Sequence, residues 1–366
     1  MGGRGCTRGR SHRRVSGDHA AWVRYEEDLN ALNVFAANLE TGELTRITEL
    51  ETSGGLMDIL KGPQALAISG SKIVWQDARN GVGSEDLYLY DLTVGEEQLL
   101  VGAEGSQQSP DLYGDLVVGA DTRDDAGDIH LLDLATGQET AFPADGKQKF
   151  PKVTNGVVGW VHEDAAIVLH DLATGEETTV PTASGTMHAF DISGSTVAYR
   201  LYDEAAEAYG VWISDLDGSN ARQVVAPTGG ATHFGLYGTT VVFNAQGLHA
   251  YDLATDSTVG ISDTPSTAFF PQMSGNRIVW QSLNALGERY LTLAQLGPAL
   301  GDANLDGAVS GADANAIAQC SVGNPVNPFD EGAADVNCDG AITITDALRV
   351  AQKANGSLDY FPCELN

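Results

Sequence analysis

Basic residues are scarce in this chain. Its 366 residues carry 20 lysines and arginines against 50 aspartates and glutamates, a formal net charge of -30 at neutral pH. That deficit excludes nucleic acid and anionic membrane surfaces as partners, because both are recognised through basic patches. Most of the acidity reads as a solvated surface, and it suits cation binding or a cationic partner. Long apolar runs are missing too: no stretch approaches the ~18 consecutive apolar residues of a membrane-crossing helix. Cysteine is absent between Cys6 and Cys320. The body of the chain therefore has no disulfides to rely on. Cys320, Cys338 and Cys363 mark the chain's end as a small unit that needs staples.

Catalytic signatures are also lacking. The chain has no Gly-x-Ser-x-Gly elbow, no Walker loop, no His-Glu-x-x-His and no Cys-x-x-Cys pair. Acid pairs are so numerous that none is promoted to a glycosidase dyad from sequence. No catalytic residue and no organic cofactor are assigned. Residues 1–14 hold Arg4, Arg8, Arg10, Arg13 and Arg14 with no apolar stretch behind them, so an intact secretory signal is not visible. A disordered basic tail, a mis-assigned start and a truncated leader all fit this segment.

Glycine, by contrast, is abundant, with 43 residues. It recurs in phase. Turns at Gly17, Gly70, Gly114, Asn155-Gly156, Gly194, Gly238 and Gly275 each open an apolar strand, such as Lys72-Ile73-Val74-Trp75 or Arg277-Ile278-Val279-Trp280. A second phrase follows in most repeats, as in Asp133-Leu134-Ala135-Thr136-Gly137 and Asp171-Leu172-Ala173-Thr174-Gly175. These are hairpin turns, in which Asp caps local amides and Gly supplies a positive φ. The spacing is roughly forty residues, a propeller-blade period. The expectation is a mainly β fold with seven radial sheets over residues 15–297, each burying both faces against its neighbours.

Pro110-Asp111-Leu112-Tyr113-Gly114, Ser274-Gly275-Asn276-Arg277-Ile278-Val279-Trp280 and Tyr90-Asp91-Leu92 resemble the repeats of TolB-like seven-bladed β-propellers. The resemblance implies a binding platform more than a chemistry. Ring closure is the open question: the last repeat lacks a clear final strand, and residues 1–14 are poor strand formers. His188 and His233 precede the turns of neighbouring repeats, where inner strands line a channel; Gln64, Gln108 and Lys149 hold comparable places. Polar channel lining accounts for them better than a metal or sugar site, since metal-ligand spacing is absent. His130, His162, His170 and His249 read as surface residues. The similar loops Asp77-Ala78-Arg79-Asn80 and Asp121-Thr122-Arg123-Asp124-Asp125 follow matching strands, so repetition explains them.

Residues 298–366 differ in kind. Asp302, Asn304, Asp306, Ser310 and Asp313 occupy the first, third, fifth, ninth and twelfth places of one twelve-residue loop. Asp335, Asn337, Asp339, Thr343 and Asp346 occupy the same places of another. Calcium is a hard cation that takes about six to eight oxygens at about 2.3–2.6 Å, which such loops converge. Gly307 and Gly340 stand at the sharp sixth-place turn, and Ala308 and Ala341 at the seventh offer a backbone carbonyl. Val309 and Ile342 are expected to anchor the loops in a small core. Helices are expected over roughly 311–319, with Ala312, Ala316 and Ile317 inward, and from Ala347 to Ala354, with Ala347, Val350, Ala351 and Ala354 on one face and Leu348 beside them. The pattern predicts two Ca2+ ions and folding coupled to their uptake.

Aspartate rather than glutamate at the twelfth place, and two loops each followed but not clearly preceded by a helix, resemble dockerin type I repeats, an EF-hand-like module. That resemblance implies a cohesin-like protein partner, an extracellular or cell-surface location and a polysaccharide-degrading system. It also implies antiparallel packing that brings Cys320 towards Cys338, with Cys338–Cys363 as the rival disulfide. The small hydroxyl pair that dockerins often present at the tenth and eleventh places is replaced here by Gly311-Ala312 and Ile344-Thr345. Arg349 and Lys353 are left as possible contacts.

Together these readings give a calcium-binding docking protein whose propeller meets a protein or glycan ligand. The alternative is a hydrolase or lyase propeller acting on glycosidic bonds of polysaccharides and anchored by the tail. A third reading lets the loops merely stabilise the end of the chain.

Overall fold

The computed structural model describes residues 13–26, 28–51, 63–123, 127–154, 156–163, 166–182, 185–227, 233–245, 247–262, 269–283, 289–297, 301–305, 309–324, 326–358 and 361. Seven antiparallel sheets follow one another in chain order, over residues 13–46, 63–101, 107–142, 148–180, 186–225, 234–262 and 269–295. Blades 1 to 6 are four-stranded meanders, and blade 7 has three strands among the described residues. The first strand begins at Arg13, inside the arginine-rich segment.

The repeated glycines set this pattern locally. Ser16 pairs with His19 across the tight turn at Gly17, where φ is +51°. The corresponding glycines of the other blades have φ between +51° and +85°, a region that L side chains adopt only at a cost and that two-residue hairpins require. In the outer turns, Asp133 Oδ1 accepts the amides of Ala135 and Thr136 at 2.8 and 3.3 Å, and Asp171 Oδ1 those of Ala173 and Thr174 at 2.8 Å each. The Asp-capped hairpins are thus as the sequence leads one to expect.

Both faces of each blade are buried. Trp75, Tyr199 and Trp160 are almost fully enclosed, and the apolar clusters join neighbouring sheets. One runs from Val161 and Ile167 of blade 4 to Phe190 and Tyr199 of blade 5, and another from Ala198 and Val211 of blade 5 to Leu236 and Val241 of blade 6. Burial of this kind, at about 25 cal/mol per Å² of apolar surface, is the main term holding the ring together. The innermost strands pack in the cyclic order of blades 1 to 7, with Arg13–Ser16 against both Phe269–Ser274 and Pro63–Ser69. Val15, Ala20 and Val279 form the core of that last junction. Arg277 donates to Gly17 O at 3.1 Å and pairs with Asp18. Each blade is contiguous in sequence, and no strand is exchanged between the ends among the described residues. Closure comes from side-chain packing and polar contacts instead.

The tail holds three helices, α1 (Gly311–Ser321), α2 (Glu331–Ala334) and α3 (Ile344–Ala354). Ala303, Ile317, Ala334, Val336, Ala347, Val350 and Phe361 make its core, with Val309 and Ile342 packed against it as expected. Four expectations need correction. Helix α2 precedes the second loop, nucleated by Asp330, whose Oδ1 accepts Ala333 N at 2.7 Å. Ala312 is exposed because it sits in the first turn of α1, ahead of the buried stripe. Ala354, expected on the Ala347–Val350 face, is exposed in the last turn of α3, and Leu348, one position off that face, is 58 % exposed. No helix among the described residues is long and apolar enough to cross a membrane.

Candidate functional site

In the second loop, Asp335 Oδ1 accepts Asp339 N at 3.3 Å and Oδ2 accepts Gly340 N at 2.9 Å. Asn337 Oδ1 accepts Asp339 N at 3.0 Å, and Asp339 Oδ1 accepts Ala341 N at 2.9 Å. Asp346 is fully buried at the start of α3. Its Oδ2 takes Thr343 N at 2.9 Å and Thr343 Oγ1 at 3.0 Å, while its Oδ1 is buried with no hydrogen-bond partner. Burial raises the Asp335 carboxyl above its ordinary value, and repulsion from Asp346 and Asp339 adds to this, against the opposing amides. The loop therefore concentrates negative charge that its own amides only partly satisfy. Asp339 is turned onto its own loop, with Oδ2 accepting Asn337 Nδ2 at 2.8 Å.

The first loop repeats the plan. Asp302 and Asp313 are buried. Asp313 Oδ1 accepts Asn304 N at 3.0 Å, and its Oδ2 accepts Ser310 N and Oγ at 2.9 and 3.1 Å. Ser310 and Thr343 cap α1 and α3 in matching capping boxes. The fourth-place residues Leu305 and Cys338 share a left-handed φ of 62° and 56°. Asp306, Gly307 and Ala308 lie outside the described residues. Ala341 is exposed next to Gly340. A hard cation suits this donor set of carboxylate, amide and hydroxyl oxygens, with the orphaned Asp346 oxygen as the clearest vacancy for a ligand bond.

The cysteine pairing differs from expectation. Cys320 is a free thiol, half-buried on the last turn of α1, and Cys338 is disulfide-bonded. Cys338 is exposed in the left-handed turn of its loop; the rival pairing Cys338–Cys363 falls on a residue outside the described set. Arg349 and Lys353 of α3 face the propeller: Lys353 Nζ is 3.8 Å from Asp18, and the Arg349 charge acts on Tyr113.

The propeller's inner strands bring Asp111, Lys152 and Asp191 together from blades 3, 4 and 5. Lys152 Nζ lies 3.5 Å from Asp111 and 3.7 Å from Asp191. Spare carboxylate oxygens take the next blade's backbone, Val153 N at 3.1 Å and Leu236 N at 3.3 Å. This belt knits blades and leaves no free acid for chemistry. Asp121, His130 and Glu139 also converge within 4.8 Å, but Arg123 stands among them, 2.5 Å from Asp121 and 2.8 Å from Glu139. Blade 2 repeats this with Arg79 between Asp77 and Glu97, at 2.6 and 2.7 Å. Repetition does explain the two loops; Asp124 and Asp125 fall outside the described residues.

His188 and His233 border a different cluster. The Arg200 guanidinium lies 4.6 Å from the centre of the Tyr209 ring, His188 5.2 Å and Tyr202 5.1 Å from the same ring. His233 is 3.9 Å from the Phe270 ring. Burial, and then the nearby Arg200 charge, push the His233 pKa down to about 4, so its ring is neutral at pH 7. Gln108 instead donates to Glu85 at 3.1 Å, and Lys149 is half-buried. The Gln64 side chain is not described. The four histidines expected at the surface are half-buried instead: His162 ends its strand, His249 stacks on Phe243 with ring centres 5.4 Å apart, and His130 and His170 pair with Glu139 and Glu177 at 2.7 and 3.4 Å. Arg200 was not singled out by sequence; its only signal is an arginine at the place where three other repeats carry Gln76, Asn244 and Gln281.

Residues 300–355 match the dockerin type I domain. Among solved structures, an oligogalacturonate lyase in complex with manganese is 17 % identical, with a TM-score of 0.56 over 78 % of this chain and 90 % of that one. The β-propeller domain of the Trilobed protease from Pyrococcus furiosus, described as having an open velcro topology, is 13 % identical, with a TM-score of 0.55 over 79 % and 97 %. TolB from Acinetobacter baumannii is 15 % identical, with a TM-score of 0.48 over 76 % and 65 %. No curated protein matches the chain. At such identities the likeness is one of fold: a seven-bladed β-propeller followed by a dockerin type I domain.

Proposed function

We propose that this is an extracellular or cell-surface protein that docks to a cohesin-like partner through calcium. Two Ca2+ ions are held in residues 298–366, and the propeller of residues 15–297 presents a binding platform for a protein or glycan in a polysaccharide-degrading system. The ligands are Asp302, Asn304, Asp306, Ala308 (through its carbonyl), Ser310 and Asp313, and Asp335, Asn337, Asp339, Ala341 (through its carbonyl), Thr343 and Asp346. The observation that carries this is the buried, unpartnered Oδ1 of Asp346, at the twelfth place of a loop whose carboxylates repel one another. Calcium supplies the missing charge there. The chain's own residues hold the loop open for it through the capping boxes and the tail core.

The docking face follows from exposure. Ile344 and Leu348, one helical turn apart on α3, are 64 % and 58 % exposed, with Thr345 beside them. Arg349 and Lys353 are turned to the propeller and so are poor candidates for partner contact. Calorimetric titration of the intact protein with calcium, followed by capture on immobilised cohesin-like domains with calcium or chelator, tests the reading. No heat of calcium uptake would sink it, and uptake without calcium-dependent capture would leave only stabilisation of the tail.

A second reading, a glycan-active hydrolase or lyase propeller anchored by the tail, is favoured by one observation: His188 and His233 border the same Arg200–Tyr209 pair. The named activity of one structural neighbour, an oligogalacturonate lyase, points the same way. Release of unsaturated or reducing ends from a polysaccharide panel, with and without added manganese, separates it from simple binding.

A further inference from the structure

Arg24, Arg46, Arg79, Arg123, Arg222 and Arg277 of the propeller each reach a carboxylate. Arg200 reaches none among the described residues, and its Nε is buried without a hydrogen-bond partner. It lies on the second strand of blade 5 (Thr196–Asp203), paired with Ala189 and Val211. This place, six residues after the turning glycine, holds Gln76, Asn244 and Gln281 in blades 2, 6 and 7. Gln76 there accepts Ser109 N at 3.0 Å and Asn244 accepts His233 N at 2.8 Å. The first bond reaches the next blade and the second stays within blade 6, while blades 1, 3 and 4 hold Val23, Ala120 and His162 at this place, so the fold asks for no charged group there. A desolvated guanidinium costs stability without serving the ring, so another use must retain it.

The surroundings indicate that use. Tyr209 lies under the guanidinium, with Tyr202 and the exposed His188 against it. On the other side His233 packs on Phe270. Phe270 has a left-handed φ of 52° at the bulge between Phe269 and Gln272 in blade 7. Ser109 and Phe150 share this left-handed φ at the matching bulges of blades 3 and 4, so the bulge belongs to the repeat, and what it does here is aim Phe270 at His233. The result is one positive fork among aromatic faces and hydrogen-bonding ring edges, with no negative group of the described chain to neutralise it.

We propose that Arg200, flanked by Tyr209, Tyr202, His188, His233 and Phe270, binds the carboxylate of an acidic sugar, a uronic acid unit of a polysaccharide. The guanidinium fork takes the two carboxylate oxygens side by side, and the rings offer flat apolar faces to the pyranose. The phenol edges of Tyr202 and Tyr209 match the sugar's hydroxyls, which a peptide carboxylate would leave unused. This inference rests on the propeller's being a binding platform and is independent of the calcium-loaded tail.

Calorimetry on the intact protein tests it with three probes: an oligouronide, the same oligosaccharide after carboxyl reduction, and a peptide with a free C-terminal carboxylate. Arg200→Gln places in blade 5 the residue already used in blades 2 and 7, so folding is retained; thermal unfolding at or above the wild-type midpoint verifies this. The expected result is oligouronide binding that weakens at least ~tenfold on carboxyl reduction or in Arg200→Gln, with Arg200→Lys in between because it keeps charge but loses the fork. Equal binding of the reduced sugar, or no effect of Arg200→Gln, overturns the carboxylate assignment and leaves the platform reading standing. Binding of the peptide alone overturns the sugar class. Failure of every probe, and of a neutral-glycan panel, overturns both this inference and the platform reading.

Discussion

The backbone amide of Gly17 donates to the hydroxyl of Ser274 at 3.0 Å, joining residues 257 positions apart. The same bond recurs between neighbouring blades: Gly70 N to Ser16 Oγ at 2.9 Å, Gly114 N to Ser69 Oγ at 2.8 Å, and Gly238 N to Ser193 Oγ at 2.8 Å. Blade 7 therefore meets blade 1 through the contact that ordinary neighbours use. A ring closed in this way needs no exchanged strand, provided the apolar junction of Val15, Ala20 and Val279 is as tight as the others.

Ser274→Ala leaves a buried amide unsatisfied and should lower stability by about 1–2 kcal/mol. Ser69→Ala, at an interior junction, should cost the same. Urea midpoints of the two variants check this. If the Ser274 variant changes nothing while the Ser69 variant does, the seam between the ends is not a true blade junction.

The glycine phase carried the fold. A positive-φ turn, an apolar strand and an Asp-capped hairpin repeat together, and each is a local property that survives in sequence. The dockerin type I domain was legible for the same reason: the oxygen-bearing side chains of its two loops are spaced along twelve consecutive residues. What could not be read depended on neighbours distant in sequence. Arg200 becomes notable only when Ser109, in the blade after Gln76, and His233, at the start of Asn244's own blade, show that uncharged amides serve this position elsewhere. Cys338 could not be paired from spacing, and the one-turn helix α2 is too short to leave a periodic trace. Leu348 misled because it sits one position off the buried stripe of α3.

Asp346 has two roles that one substitution separates. Its Oδ2 completes the cap of α3, and its Oδ1 is the unpartnered oxygen. Asparagine keeps an acceptor for the Thr343 amide but removes the charge. Asp346→Asn should weaken calcium uptake at the second loop by at least about tenfold, with the helical signal of the wild type regained at saturating calcium. Calorimetry and circular dichroism check the two halves. In the unaltered protein, chelator should open the tail to protease while the propeller's unfolding midpoint stays put. The ion pair of Lys353 with Asp18, at 3.8 Å, is too weak a tie to couple the two units strongly.

His233 gives a pH dependence with a definite sign. Its folded pKa is lowered from 6.5 to about 4, by burial first and by Arg200 second. Between those values the unfolded chain binds the proton and the folded chain does not, so stability rises with pH across the window and is lost as pH falls through it. The loss amounts to at most about 3 kcal/mol by pH 4. His233→Gln should remove this component. Urea midpoints of both proteins from pH 7.5 downwards test it: parallel curves would mean that the ring is not desolvated.

The last prediction concerns the group that looks most like a transition-metal site and is not one. Asp121, His130 and Glu139 bring ligand atoms within 4.8 Å, as a divalent ion would need. Arg123 lies among them and bonds Asp121 at 2.5 Å and Glu139 at 2.8 Å, and blade 2 places Arg79 in the same way between Asp77 and Glu97 with Tyr88 where His130 stands. The cation is thus already present, built into the repeat, and a second one would have to enter against it. Burial alone would raise the Asp121 carboxyl, yet hydrogen bonds from Arg123 carry it below its ordinary range, as expected of an acid whose counter-charge is fixed. Wild-type protein should therefore show no manganese or zinc binding that depends on His130. Arg123→Ala frees two carboxylates and an imidazole at metal-binding spacing and should create a weak site, read by calorimetry in the presence of excess calcium to saturate the tail. If Arg123→Ala binds neither metal, the three side chains owe their approach to the arginine and separate once it is gone; if wild type binds one and His130→Ala does not, the arginine is not the resident cation that this account requires.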